Sequence, residues 1–475
     1  YGAFMQAIVY HPTAPVYNQE GKFFEYAGVG PYNPVALLSQ VDNRGERYTY
    51  SGNLSANLKV LPCLSVYAMM SANNDTYEGS KYISRDSRYS ILGGFEGQAD
   101  MNTYFYKKRT FEAYANYSFS TDVHNLTALV GYSFNREDRT WHNASNSGFL
   151  TDIPGANNIG NGTYLEDGLA SMGRGQDESK LIAFFGRINY GYKDKYLATF
   201  TLRADGSSKF ASNNRWGFFP AGALAWRLSN EDFMQDIPWI SNLKLRLSYG
   251  TSGNDRIDAD LYQKLYGVSS KTPAGWGEIS RYYYQFYNTK YVYNPNVKWE
   301  TTITRNLGFD FGFFKERLSG TVDIYWNTVK DLLVPSDIPG YTGYTKLMTN
   351  VGQTSNRGIE LQLNAYIVET KDFSLNANFN IGHNKNKIDK LASGEKEWIL
   401  TSGWNKGLMN ADDYRAYVGG TSGLIYGYVN DGFYTVDDFE SFDAKSRTWK
   451  LKEGVVDSSP LSDTPRPGNA KFKKL

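Results

Sequence analysis

Residues 306–313 read Asn-Leu-Gly-Phe-Asp-Phe-Gly-Phe, so every second side chain is apolar. Successive side chains of a β-strand point to opposite faces, and this period of two predicts a strand with one apolar and one polar face. The same alternation recurs in residues 243–250, 358–365 and 373–381, and more weakly in 111–119, 126–134, 182–192, 196–203 and 318–326. No comparable stretch has the 3.6-residue period of a helix. The sequence therefore predicts an all-β protein.

The length of the apolar faces separates a membrane barrel from a soluble sandwich. They persist over about 9–11 residues, which is the length of a tilted strand that crosses a bilayer. Strands of soluble proteins are typically about 5–6 residues long. The opposite faces carry charged side chains that we expect to line the lumen of a barrel. These lumen-lining candidates are Arg187, Arg203, Arg246, Asp310, Asp323 and Glu360.

The connections between the predicted strands alternate between short and long. The short, charged ones lie at residues 120–124, 193–195, 315–317 and 369–372. The long ones lie at residues 135–180, 204–215, 251–301, 327–357 and 383–424. Outer-membrane barrels have short periplasmic turns and long extracellular loops. We therefore predict a large antiparallel transmembrane β-barrel in the outer membrane.

The aromatic content agrees with this prediction. Aromatic residues make up 16% of the 475 residues, and 38 of them are Tyr. Tyr and Trp are enriched at both membrane–water interfaces, where their rings form girdles. We expect girdle positions at strand ends around the short turns, with cross-strand packing of the rings as the alternative. The candidates are Tyr190, Tyr192, Tyr196, Phe313, Phe314, Tyr325 and Trp326.

Composition excludes several other classes of protein. The chain has 50 Lys and Arg against 49 Asp and Glu, a net charge of +1, and this balance argues against a nucleic-acid partner. Its single cysteine, Cys63, excludes an intrachain disulfide framework. No apolar run approaches the roughly 18 residues of a spanning helix.

Several motifs resemble the SusC/RagA family of TonB-dependent outer-membrane transporters of Bacteroidetes. Residues 185–210 contain Phe-Gly-Arg-Ile-Asn-Tyr-Gly-Tyr and end in Ala-Asp-Gly-Ser-Ser-Lys-Phe, and residues 213–220 read Asn-Asn-Arg-Trp-Gly-Phe-Phe-Pro. Further matches follow in the family's order at residues 225–228, 245–255, 294–300, 306–310, 323–327, 331–333, 350–352 and 356–360. Residues 1–180 match more loosely.

The resemblance implies a 22-stranded barrel closed by an N-terminal plug. At roughly 25–30 residues per strand and connection, this chain supplies about 15–18 strands. We expect residues 1–475 to form one incomplete barrel domain, without the plug, the N-terminal extension and the last strands.

The resemblance also implies a function: active import of a nutrient, most simply an oligosaccharide. A SusD-like lipoprotein would capture substrate at the cell surface, and TonB would supply energy through the missing N-terminal segment. The alternative within the family is a RagA-like peptide importer. A passive porin and a structural surface barrel remain as alternatives of other classes.

No catalytic motif, metal-ligand spacing or cofactor fingerprint is present, so we expect neither an enzyme nor a cofactor. An aromatic loop at residues 275–293 is a candidate for contact with substrate or partner, because exposed Tyr and Trp rings are enriched at interfaces. The alternative is a loop that packs on itself. Its candidate contact residues are Trp276, Tyr282, Tyr283, Tyr284, Phe286 and Tyr287.

Overall fold

A continuous antiparallel sheet accounts for most of the chain. The computed structural model describes residues 2–26, 30–263, 266–268, 284–286, 291–339, 346–392, 396–400, 414–427, 429–457 and 464–473. The twelve long strands are β1 (Val41–Leu61), β2 (Leu64–Ile83), β3 (Gln98–Ser120), β4 (His124–Ser147), β5 (Ser171–Tyr192), β6 (Tyr196–Ser207), β7 (Trp216–Arg227), β8 (Ile240–Asn254), β12 (Glu300–Phe313), β13 (Leu318–Asp337), β14 (Lys346–Glu369) and β15 (Ser374–Lys390). Each pairs with the next in chain order, so the sheet is a meander, and the all-β prediction is confirmed.

The remaining elements are short. Three helices precede or connect the first strands: α1 (Ala3–Val9), α2 (Pro34–Gln40) and α3 (Arg88–Gly93). The short strands are β9 (Tyr266–Val268), β10 (Tyr284–Phe286), β11 (Tyr291–Val292), β16 (Glu397–Leu400), β17 (Tyr414–Tyr417), β18 (Leu424–Ile425), β19 (Asn430–Phe433), β20 (Phe439–Asp443), β21 (Thr448–Leu451) and β22 (Ala470–Phe472). Only β11 joins the main sheet, in parallel with β14, which brings the sheet to thirteen strands among the described residues.

Strand register sorts the side chains onto two faces. Arg246, Gly308, Asp323, Glu360 and Gly382 lie directly opposite one another across β8, β12, β13, β14 and β15. Directly opposed residues share a face, so this row belongs to one polar face. The adjacent row of Leu247, Leu307, Ile324 and Ile359 lies on the other face. The sheet thus has a polar face and an apolar face.

The apolar face is exposed. Val130 is 66% exposed, Phe218 68% and Leu247 56%. A soluble monomer rarely leaves a contiguous apolar surface of this extent in water. This face therefore has the character of a surface that contacts lipid.

The connections at the two edges of the sheet differ. At one edge, the short-turn edge, consecutive strands are joined by a few residues, as in the turn after Tyr192. There Lys193 and Asp194 have φ of 50° and 53°, the left-handed conformation that a type I′ hairpin turn requires at both central positions. The one longer connection at this edge, residues 228–239, is compacted into 3₁₀ turns. The opposite edge, the long-loop edge, carries the longer segments.

Two of the predicted long loops are wrong in extent. β4 continues to Ser147 and β5 begins at Ser171, so half of residues 135–180 is strand. β13 and β14 likewise occupy most of residues 327–357. The physical cause is visible on β4, where the residues after Phe134 on the apolar face are Arg136 and Asp138. Backbone pairing continues while the hydrophobic alternation stops, so sequence reading ended the strand too early.

Because the strands are longer than predicted, the described residues form fewer long strands than the sequence suggested. β4 and β14 have 24 residues each, more than twice the length that a bilayer crossing needs. Among the described residues, the meander therefore has twelve long strands, where the sequence suggested about 15–18. The strands β1 and β2 were not predicted.

Most of the girdle candidates lie on the apolar face near the short-turn edge. Tyr190 and Tyr196 are 40% and 48% exposed, and the Tyr196 ring stacks on Trp226 with 6.4 Å between centroids. Phe313 packs against Trp239 at 5.5 Å. Trp326 lies on the apolar face toward the long-loop edge. Tyr325 is opposite Asn306 on the polar face, so its prediction as a girdle residue is wrong.

Buried apolar clusters lie near the long-loop edge. Phe210, Phe219, Val297 and Trp299 form one of them, and the Trp299 indole Nε1 donates to the carbonyl of Arg215 at 3.0 Å. Tyr82, Ala99 and Phe149 form a second one. These clusters fix the connecting segments to the sheet.

Glu231 fastens the connection between β7 and β8 at the short-turn edge. It accepts hydrogen bonds from Trp226 Nε1, Tyr196 Oη and Lys195 Nζ at 2.9, 2.8 and 3.0 Å. These donors, Trp226 first, lower the pKa of Glu231 to about 2. A carboxylate whose pKa is lowered by folding stabilises the folded state at pH values above its pKa in the unfolded chain, which is about 4.3.

We predict that this stabilisation is lost as the pH falls from about 5 to about 2. Glu231→Gln should lower the unfolding temperature at pH 7 and flatten its pH dependence over that range. Glu316→Gln is the matched control, because Glu316 lies in another short turn and has no ion-pair partner among the described residues. Thermal unfolding of the intact protein in detergent, followed by circular dichroism, measures both. Equal pH profiles for wild type and Glu231→Gln would contradict the prediction.

Candidate functional site

An ion network occupies the polar face of β8, β12 and β13. Arg246 Nε donates to the two carboxylate oxygens of Asp310 at 3.0 and 2.9 Å, and Arg246 Nη2 donates to Asp310 Oδ1 at 2.8 Å. The same Nη2 is 3.2 Å from both oxygens of Asp323. Lys244 Nζ lies 3.9 Å from Asp310, and the Thr321 hydroxyl donates to the Asp310 carboxylate at 3.3 Å. One guanidinium thus joins carboxylates from two neighbouring strands.

A glycine makes room for this guanidinium. Gly308 lies directly opposite both Arg246 and Asp323. A Cβ at this position would lie 2.5 Å from the Arg246 Cζ atom. Because Gly308 has no side chain, Arg246 reaches across β12 to Asp323 on the next strand.

A shallow depression of about 350 Å³ adjoins the network on β13, β14 and β15. Asp323, Glu360, Gln362 and Asn380 are among the residues that line it. Gln362 lies directly opposite Asn380, and both side chains are exposed. In the described part of the chain, neither amide makes a hydrogen bond and Glu360 makes no ion pair. These groups are available to a ligand.

The structure places all six lumen-lining candidates on the polar face but does not bring them into one site. Arg246, Asp310 and Asp323 form the network, and Glu360 is adjacent to it. Arg203 lies on β6, where its Nε donates to Asp205 at 2.8 Å. Arg187 lies on β5 and donates to the Thr201 hydroxyl at 3.2 Å. Their role as lumen lining stays a prediction.

Sequence reading missed several polar-face residues. Lys108 Nζ lies 3.3 Å from Glu137 across β3 and β4, and Arg139 Nη1 lies 3.9 Å from Asp177 across β4 and β5. Glu137, Arg139 and Asp177 lie in the predicted loop at residues 135–180, and Lys108 precedes the predicted strand at residues 111–119. The alternation in residues 243–250 places Lys244 on the same polar face as Arg246, but Lys244 was not among the lumen-lining candidates.

Most of the aromatic candidates for contact with substrate or partner lie outside the described residues. Tyr284 and Phe286 belong to β10, which pairs with β9. Trp276, Tyr282, Tyr283 and Tyr287 lie outside the described residues. Their role in binding therefore stays a prediction.

Within the described ranges, no cluster of three or more His, Cys, Asp and Glu side chains has an arrangement suited to a metal ion. No helix in the same part of the chain has the length and apolar character needed to cross a membrane. Cys63 lies in the turn between β1 and β2 and is half-buried.

Comparison with known proteins agrees with this geometry. Residues 7–458 match the family described as TonB-dependent receptor-like β-barrel. The chain belongs to this family. It is 32% identical over 421 residues to the TonB-dependent receptor SusC of Bacteroides thetaiotaomicron, covering 82% of this chain and 40% of SusC. A TonB-dependent receptor of Formosa agariphila is 30% identical over 438 residues, covering 91% of this chain and 42% of the relative.

Solved structures support the same relationship. The RagAB peptide transporter superposes with a TM-score of 0.73 and 25% identity, covering 87% of this chain and 44% of that chain. The resemblance to SusC and RagA is confirmed. The chain spans about two fifths of the length of the curated relatives it matches.

Membership of this family indicates how the sheet is oriented in an outer membrane. In such barrels the short turns are periplasmic and the long loops extracellular. The short-turn edge is accordingly the periplasmic edge, and the long-loop edge is the extracellular edge. In this orientation the apolar face would contact lipid and the polar face would line the lumen.

The network should contribute to the stability of the wall. We predict that Arg246→Met destabilises the protein by about 1–3 kcal/mol, because Asp310 and Asp323 lose their shared partner in a half-buried position. Arg187→Met is the matched control, since among the described residues that guanidinium donates only to the Thr201 hydroxyl. This variant should lose less stability than Arg246→Met. Adding Asp310→Asn and Asp323→Asn to Arg246→Met should recover most of the loss. Urea unfolding in detergent measures all three variants, and equal effects of Arg246→Met and Arg187→Met would refute the role of the network.

Proposed function

We propose that this chain forms part of the wall of an outer-membrane importer that takes up nutrient oligomers and is energised by TonB. The observation that carries the proposal is the meander itself, with one face suited to lipid and the other lined by polar groups, in a chain of the TonB-dependent receptor family. The wall would bind and orient the substrate without covalent chemistry of its own. A SusD-like surface lipoprotein would act as partner at the extracellular edge.

The polar face of β14 and β15 supports an oligosaccharide as the substrate. Gln362 is opposite Asn380, and Asn364 is opposite Asn378, which gives a ladder of neutral amides beside the depression. Amides donate and accept hydrogen bonds and carry no charge, which suits the hydroxyl groups of an oligosaccharide. We therefore propose an oligosaccharide as the substrate.

A peptide is the second candidate, and one observation favours it. The structure with the TM-score of 0.73 is that of a peptide transporter. Peptide groups have the same donors and acceptors as the amide ladder, so the ladder itself suits both classes. The family relationship supports TonB-driven import over a passive porin or a purely structural barrel.

The identity of the substrate is tested on the intact protein purified from the outer membrane together with any lipoprotein that copurifies. We expect mass spectrometry of the bound material to reveal glycans. Peptides would overturn the oligosaccharide proposal and support the second candidate. Uptake that persists after deletion of TonB would contradict energised import.

Variants of the amide ladder test the role of the depression. We predict that Gln362→Leu with Asn380→Leu raises the KM of uptake about tenfold or more, because each lost hydrogen bond is worth about 0.5–1.5 kcal/mol. Asn189→Leu is the matched control, since its amide already bonds to Thr127 and Thr199 at 3.0 and 2.9 Å. Uptake of labelled substrate by cells with equal surface levels of each variant gives the comparison. An unchanged KM in the double variant would exclude the depression as a binding site.

A further inference from the structure

Four residues on neighbouring strands form a line across the apolar face. Arg305 on β12 is opposite Trp326 on β13, Trp326 is opposite Arg357 on β14, and Arg357 is opposite Lys385 on β15. We call these four residues the basic row. Directly opposed residues share a face, so three cations and an indole project from the surface that contacts lipid.

The basic row marks the extracellular limit of the apolar band. Two residues closer to the periplasmic edge, the same face carries Leu307, Ile324 and Ile359. A charge at the bilayer midplane of a barrel costs about 2–4 kcal/mol, whereas near the interface the cost falls to about 0–1 kcal/mol. The position of the row therefore corresponds to the headgroup layer, and Trp326, 45% exposed, suits the same layer.

The cations of the basic row have no acidic partner among the described residues. Arg357 is directly opposite Lys385, and neither makes an ion pair or hydrogen bond within the described part of the chain. Arg305 contacts only the Thr328 hydroxyl, at 3.4 Å, and the Tyr249 ring, at 5.9 Å. Like charges directly opposite one another destabilise a sheet. An anion from outside the sheet would remove this repulsion.

A second line of cations on the same face shows the contrast. Arg109, Arg136 and Lys180 are directly opposite one another on β3, β4 and β5. Here Arg136 Nη2 lies 2.9 Å from Asp138 and 2.6 Å from Glu178, and Glu178 also pairs with Lys180. The chain supplies its own carboxylates to this line, whereas none of the described carboxylates pairs with the basic row.

We propose that the basic row binds the phosphorylated headgroup of an anionic lipid of the outer leaflet. Neighbouring strands are about 4.8 Å apart, so Arg305 and Arg357 are about 10 Å apart and Lys385 adds a third cation about 5 Å further on. Arginine binds phosphate oxygens in a bidentate manner, and lysine acts as a point charge. The acyl chains of the same lipid would lie on Leu307, Ile324 and Ile359. The inference rests on the membrane orientation used for the proposed function.

The test is a lipid titration of the intact protein in detergent, followed by native mass spectrometry. The probes are phosphorylated lipid A, the same lipid A after enzymatic removal of its phosphate, and inorganic phosphate. We expect binding of the phosphorylated lipid only. The affinity for this lipid should fall roughly hundredfold in the triple variant Arg305→Gln, Arg357→Gln and Lys385→Gln. This estimate takes roughly fivefold for each cation near an anionic headgroup.

The matched control is the triple variant Lys193→Gln, Lys315→Gln and Lys371→Gln, which removes the same charge from the periplasmic turns. It should bind the lipid as wild type does. Equal losses in both triple variants, equal binding of the dephosphorylated lipid, or competition by inorganic phosphate at the lipid concentration would each overturn the proposal. If the triple variant does not fold, Arg357→Gln alone should weaken binding roughly fivefold, and an unchanged affinity would overturn the proposal as well.

The same variants separate this inference from the proposed function. Lipid binding is measured without substrate, and uptake is measured in cells. Lost import with retained lipid binding would count against the proposed function alone. Retained import with phosphate-independent lipid binding would count against the basic row alone.

Discussion

The wall depends on one constraint: lipid offers no hydrogen bonds, so every backbone N–H and C=O group in the membrane must find its partner within the sheet. Between its outer strands β1 and β15, the meander satisfies this by pairing each strand with both neighbours over long, almost unbroken registers. Once the register is set, the face of each side chain follows, because a slip of one residue would exchange the lipid and lumen faces. The ion network, the amide ladder and the basic row are all consequences of this register.

The polar face combines side chains that form hydrogen bonds and ion pairs within the sheet with side chains that have no such partner among the described residues. Arg246 is shared by Asp310 and Asp323, and the amide of Asn189 is held between Thr127 and Thr199. Glu360 and the neighbouring amides of Gln362 and Asn380 make no ion pair or hydrogen bond among the described residues. This difference separates side chains that stabilise the wall from side chains that are free to meet a ligand.

The sequence was sufficient to predict the faces but not the contacts. Alternation in residues 306–313 predicted that Asp310 faces the lumen, because lipid and water impose opposite polarities on successive residues. That Arg246 bonds Asp310 diagonally, while Lys244 is the residue directly opposite, depends on register, which no local pattern encodes. The ends of β4 and β5 were missed for a related reason: beyond Phe134 both faces are polar, so strand and loop have the same composition. Motifs of the family predicted the relationship that the comparisons confirmed, but they carried no information about which side chains remain open.

The connectivity of the meander also has a consequence for the order in which the wall assembles. From β1 to β8 every strand pairs with its predecessor, so most contacts are local and form by the closure of short hairpins. The join between β8 and β12 differs, because residues 255–299 separate the two strands. Closing a loop of that length costs about 2 kcal/mol more in chain entropy than closing a three-residue turn. The join between β8 and β12 is therefore the hairpin of the meander with the highest closure entropy, and we expect it to form after the hairpins on either side of it.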